Sequence, residues 1–187
     1  MNNCVRLENN FDLSTLDAAQ TELRRTFYKR QCYNRNLDEK FTAVPTSLHA
    51  LPEDVVSKLL EQLPKAVLDV EVPHVFIIQM DGADAELPTL AAHVDPNRSC
   101  GINIYLQANG EKTQYYDWDS KSKRLTETEH FVAKQGECWL MNTQVPHSVS
   151  LIKNKQRSML TFSFVNAEYG VIKEALERGY GETVAVH

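Results

Sequence analysis

The segment AAHVDPN (91–97) sets a histidine and an aspartate two positions apart, His93 and Asp95, and a third candidate ligand, His147, follows in NTQVPHSVSLI. Two neutral imidazoles and one ionised carboxylate can take one triangular face of an octahedral cation, leaving three positions open for exchangeable ligands. Arg157 stands ten positions beyond His147, at the head of RSMLTFSFV. In an extended chain alternate residues share a face. Met159, Thr161 and Ser163 therefore join Arg157 on what reads as a polar cavity wall, while Leu160, Phe162 and Phe164 read as packing. A guanidinium on that wall is a fork for a carboxylate. Five strand residues cover roughly 17 Å, a gap that an extended five-carbon diacid and the arginine stem together can span.

The elements that must carry these residues change character near residue 72. Before it the periodicity is helical. LSTLDAAQTELRRTFYKR (13–30) sets Leu16, Ala19, Leu23 and Phe27 on one face and predicts a helix, and PEDVVSKLLEQL (52–63) predicts a second, with proline and acids at its start. The irregular stretch 31–51 between them, with Tyr33 and Phe41, is a candidate substrate lid. From 72 onward short strands alternate with turn residues: 74–80, 101–107, 113–118, 130–134, 137–142, 147–152 and 157–165, followed by a closing helix in EYGVIKEALERG. Such a series suits a mainly β jelly roll, a cupin-like double-stranded β-helix with supporting helices outside. An immunoglobulin-type sandwich lacks support, because the Cys…Trp…Cys signature is missing. The chain reads as a single domain over 1–187: helical support and lid in 1–71, jelly-roll core in 72–167, helix and tail in 168–187.

Composition narrows the function classes. The chain has 187 residues, 42% hydrophobic and 24% charged, with a net charge of −5. Its basic residues are scattered, which argues against a nucleic-acid partner. No apolar run is long enough to span a bilayer, and the N-terminus does not read as a leader, so a cytoplasmic protein is expected. The cysteines at 4, 32, 100 and 138 show no C-x-x-C spacing and read as reduced thiols.

Residues 75–165 resemble the 2-oxoglutarate/iron(II)-dependent dioxygenase superfamily through HVD, INIYL, GECWLMNTQVPHSV and RSMLTFSF, in that order. The pattern HVD…IYL…PH-x-V…R is similar to prolyl-hydroxylase-like members, and W-x-x-N-T…HSV to aspartyl/asparaginyl β-hydroxylase-like members. The resemblance implies Fe(II) held by His93, Asp95 and His147. It implies 2-oxoglutarate bound through Arg157 and Tyr105, with O2 consumed, succinate and CO2 released, and a C–H bond hydroxylated. The substrate it implies is a peptide, protein or amino acid of prolyl or Asp/Asn type. Ile102 stands where a substrate-side arginine is often found in these families, and Arg98 lies close by.

Asn103 shares a strand face with Tyr105 and is a second candidate lining residue toward the co-substrate. Arg98, Tyr33 and Phe41 are candidates for substrate contact, with the acidic loop 81–90, whose Asp81, Asp84 and Glu86 would repel phosphates. Asn142 is expected in an Asx turn, Trp118 and Trp139 in packing, and His49, His74 and His130 in structural or surface positions. Residues 117–129 read as a solvated hairpin, and Cys100 is not needed as a ligand. The alternatives are a nucleic-acid-base oxygenase or demethylase on the same fold, and a non-catalytic metal-binding barrel. A cupin of the usual kind would prefer His-x-His, which is absent. A zinc hydrolase would leave Arg157 without a role.

Overall fold

The computed structural model describes residues 2–19, 25–28, 46–82 and 89–180. Among them eleven strands form two antiparallel sheets. The larger contains β1 (Cys4–Leu7), β2 (Arg25–Tyr28), β3 (Thr46–Ala50), β4 (His74–Asp81), β6 (Cys100–Gln107), β9 (Cys138–Asn142) and β11 (Gln156–Phe164), in the order β1-β9-β6-β11-β4-β3-β2. The smaller contains β5 (Thr89–His93), β7 (Lys112–Asp119), β8 (Arg124–Val132) and β10 (His147–Ser150), in the order β5-β10-β7-β8. Consecutive strands cross between the sheets, as β9 to β10 and β10 to β11 do, so the chain winds a double-stranded β-helix.

The central strand β11 is covered on both faces, which explains its pattern. Leu160, Phe162 and Phe164 lie in a core with Leu59, Val67, Ile172 and Leu176 from the helices behind the larger sheet. Those helices are α2 (Glu53–Leu60), α3 (Lys65–Leu68) and α4 (Tyr169–Tyr180); α1 (Ser14–Ala19) precedes them and contributes Leu16. In α4 the buried Tyr169, Ile172, Ala175 and Leu176 follow helical spacing, one stripe facing the sheet. Met159 faces the other way, into a second cluster with Ile78, Met80, Tyr105, Tyr115 and Val149 between the sheets. That interior is where the polar residues of the wall meet.

The helix expected over 13–30 ends at Ala19, and β2 occupies Arg25–Tyr28. RTFY is rich in strand-favouring residue types, and pairing along β3, Phe27 opposite Ser47, outweighs a helical periodicity that local sequence alone cannot arbitrate. The amino-terminal part is accordingly less helical than expected, since β1 and β3 also lie there. Trp118, expected in packing, is exposed at 41%, because β7 runs past the end of its partner β10 into the solvated hairpin. Trp139 does pack, stacked on Phe131 with ring centroids 4.0 Å apart. No helix among the described residues is long and apolar enough to cross a membrane.

Candidate metal and co-substrate site

Strand register brings the two histidines together. His147 opens β10 directly opposite His93, the last residue of β5, and its other neighbour in the sheet is Tyr115 of β7. The imidazole centroids are 4.5 Å apart. Asp95 follows just past the strand end, 3% exposed, with Oδ1 3.4 Å from His93 Nε2. The candidate ligand atoms of His93, Asp95 and His147 all lie within 4.8 Å of one another. The three donor groups are close enough together that one small cation could be held among them.

The loop after β5 is pinned by the turn before β10. Asp95 N donates to the Thr143 carbonyl (3.0 Å), Thr143 Oγ1 to the Arg98 carbonyl (2.6 Å), and Gln144 Nε2 to the carbonyls of Asp95 (2.9 Å) and Arg98 (2.7 Å). Asn142 Oδ1 accepts from Gln144 N at 3.0 Å, the Asx turn expected there. Thr143 and Gln144 carry no sequence signal of this role, because their contacts cross between segments far apart in the chain.

His147 Nδ1 lies 2.9 Å from the Val145 carbonyl, which leaves Nε2 for a metal. Burial, reinforced by His93 and by the Arg98 charge, pushes its pKa down to about 4. The ring is therefore neutral near pH 7, the form that ligates.

Arg157 is 2% exposed. Its Nη2 donates to Tyr105 Oη (2.9 Å) and to Thr113 Oγ1 (3.3 Å), its Cζ lies 5.0 Å from the Tyr105 ring centroid, and its Nε has no partner. Among the described residues no carboxylate pairs with it. A guanidinium buried without an anion is costly unless one arrives, so the donor set fits the distal carboxylate of a diacid. Thr113 lies two positions from Tyr115, the neighbour of His147, which sets the fork about 7 Å along the strands from the histidines. That is shorter than the roughly 17 Å expected from five strand residues, because the arginine side chain reaches across to β7. Tyr115 lies between, fully buried, its hydroxyl unpartnered. Thr113 and Tyr115 went unnoticed in the sequence, although alternation in TQYYDW sets both on one face.

Asn103 lies beside Tyr105 on the same wall, with Oδ1 accepting from Thr161 Oγ1 and from Arg98 Nη2, both at 2.9 Å, and Nδ2 on Met141 Sδ. Tyr33 and Phe41 lie outside the described residues, as does most of the 81–90 loop. Cys100 is buried on the opposite face of β6, its thiol 3.5 Å from the Ala167 carbonyl. His49 is buried against Ser47 (2.8 Å), while His74 and His130 are exposed.

No protein-family model and no curated protein sequence matches the chain. Solved structures do. A 2OG-Fe(II) oxygenase-family oxidoreductase from Burkholderia pseudomallei is 14% identical, with a TM-score of 0.56 over 89% of this chain and 86% of that one. The non-haem α-ketoglutarate-dependent epimerase SnoN of nogalamycin biosynthesis is 11% identical, with a TM-score of 0.56 over 88% of this chain and 79% of that one. At these identities the likeness shows a shared fold, the double-stranded β-helix.

Proposed function

We propose that this protein is an Fe(II)- and 2-oxoglutarate-dependent dioxygenase that hydroxylates a C–H bond of a peptidyl residue or an amino acid. The observation that carries the reading is Arg157, a guanidinium buried without a carboxylate partner among the described residues, inside the barrel that also holds His93, Asp95 and His147. A metal-binding barrel without co-substrate chemistry has no use for it. The fold shared with two 2-oxoglutarate-dependent proteins agrees with the reading.

His93, Asp95 and His147 would hold the iron, with Asp95 supplying the single negative charge. When bound, iron, 2-oxoglutarate and O2 supply oxidative decarboxylation to succinate and CO2, coupled to oxidation of the substrate C–H bond. Arg157, Tyr105 and Thr113 would orient the co-substrate by its distal carboxylate. The apolar lining, Ile78, Met80, Val149 and Met159 among it, excludes water around it. The same proposal sets the enzyme in the cytoplasm, where thiols such as the free, buried Cys4, Cys100 and Cys138 stay reduced.

The test is calorimetric titration of 2-oxoglutarate into Mn(II)-loaded protein, followed by succinate formation with Fe(II) and O2. Binding that vanishes in Arg157→Ala and needs metal is expected. Absence of 2-oxoglutarate binding to the wild type would overturn the reading.

A further inference from the structure

The inner face of the larger sheet carries two guanidinium groups at opposite ends of one polar row. On β6 its members are Gly101, Asn103 and Tyr105, and their partners on β11 are Ser163, Thr161 and Met159. Arg157 occupies the Tyr105 end. Arg98 reaches over Gly101 at the other. A Cβ on Gly101 would fall 1.8 Å from Arg98 Nη2 and 2.5 Å from its Cζ, so the absent side chain gives the guanidinium its place on the wall. Its Nη2 donates to Asn103 Oδ1 at 2.9 Å, and its Nε to the Cys100 carbonyl at 3.4 Å. Asn103, 2% exposed and bonded to Thr161, is a firm anchor. Gly101 and Tyr105 are four residues apart, about 13 Å along the strand, so the two cations would take separate anions.

A cavity of about 640 Å³ opens at the Arg98 end, with Arg98, Asn97 and Asp95 on one side and Leu48, Phe76 and Ile78 on the other. That volume suits a small molecule or one to two residues of a peptide. Because Asp95 is both a candidate ligand and part of the wall, whatever fills the cavity lies against the metal position. A phosphate dianion would bring two negative charges beside Asp95, a carboxylate only one.

The geometry points to an acidic substrate: a molecule with a free carboxylate gripped by Arg98, whose hydrocarbon lies along Leu48, Phe76 and Ile78 with a C–H bond turned toward the metal position. This rests on the oxygenase reading and narrows its substrate to the α-carboxylate of an amino acid or the side-chain carboxylate of an acidic peptide residue.

The experiment uses wild-type protein with Mn(II) and saturating 2-oxoglutarate, which fills the Arg157 end and whose own binding is recorded first. N-acetyl-leucine is then titrated against N-acetyl-leucinamide, and terminally blocked Ala-Asp-Ala against blocked Ala-Asn-Ala. One acid is expected to bind at least about tenfold more tightly than its amide. Preference within the first pair identifies an α-carboxylate, within the second an acidic side chain. Arg98→Gln should abolish the preference, Arg98→Lys should keep part of it, and Gly101→Ala should weaken it by pushing the guanidinium off the wall. Equal binding of acid and amide, an acid preference surviving in Arg98→Gln, or no acid bound at about 10 mM by protein that binds 2-oxoglutarate would each overturn the inference. A wild type that fails to bind 2-oxoglutarate instead defeats the oxygenase reading, and the inference with it.

Discussion

Arg157 is a single buried charge whose proposed role in binding would come at the expense of the ligand-free protein. Its guanidinium is held by Tyr105 and Thr113 hydroxyls, without an anion among the described residues. Arg157→Met should leave the ligand-free protein as stable as the parent, or more so by about 1–3 kcal/mol, while removing 2-oxoglutarate binding. Denaturant unfolding and calorimetry on the same variant check both halves. Tyr105→Phe removes one hydrogen bond and should weaken co-substrate binding by about 0.5–3 kcal/mol. His147 makes a separate prediction about acid. Its folded pKa is depressed to about 4 from 6.5, so between those values the unfolded chain takes up a proton that the folded chain refuses. Metal-free stability contributed by this group is complete above about pH 6.5 and falls as pH drops toward 4, by about 1.4 kcal/mol per pH unit. Unfolding of wild type and His147→Phe at pH 7, 6 and 5 should show the steeper loss in wild type, and parallel slopes would contradict it.

Elements hold these residues by contacts that cross between segments. The turn before β10 grips the loop after β5 through Thr143 and Gln144, so the carboxylate of Asp95 is set by residues that ligate nothing. Thr143→Val keeps the shape and deletes the bond to the Arg98 carbonyl. It should cost about 1 kcal/mol of stability and loosen the metal about tenfold, read by Mn(II) titration; unchanged metal affinity would make the pin purely structural. On β11 the two faces have different duties. Phe162→Ala, facing the helices, should destabilise by about 3–5 kcal/mol and leave the polar row intact. The strand shows this division openly in its sequence, because alternation needs no knowledge of the partner. The stretch 25–28 does not, because its strand state depends on β3 lying alongside.

For the whole molecule, ligands that bind only the folded barrel must stabilise it. Mn(II) with 2-oxoglutarate at about a hundred times their dissociation constants should add about 2.7 kcal/mol. A rise in melting temperature that chelator reverses, and that is absent in Asp95→Ala, is the expected result. The sequence alone pointed to His93, Asp95, His147 and Arg157 as candidate site residues, to the two faces of RSMLTFSF and to seven of the eight strands described after residue 72; β5, which ends on His93, was not among the expected strands. Each feature it pointed to is written in residue type and short-range spacing, which survive without knowledge of what lies opposite. Only the tertiary structure decided that Thr113 and Tyr115 line the path from Arg157 to His147, that Thr143 and Gln144 pin Asp95, and that Arg98 lies over Gly101 on the wall anchored by Asn103. Those contacts join positions on different strands and loops. Their identity follows from register and sheet facing, quantities that no local pattern encodes.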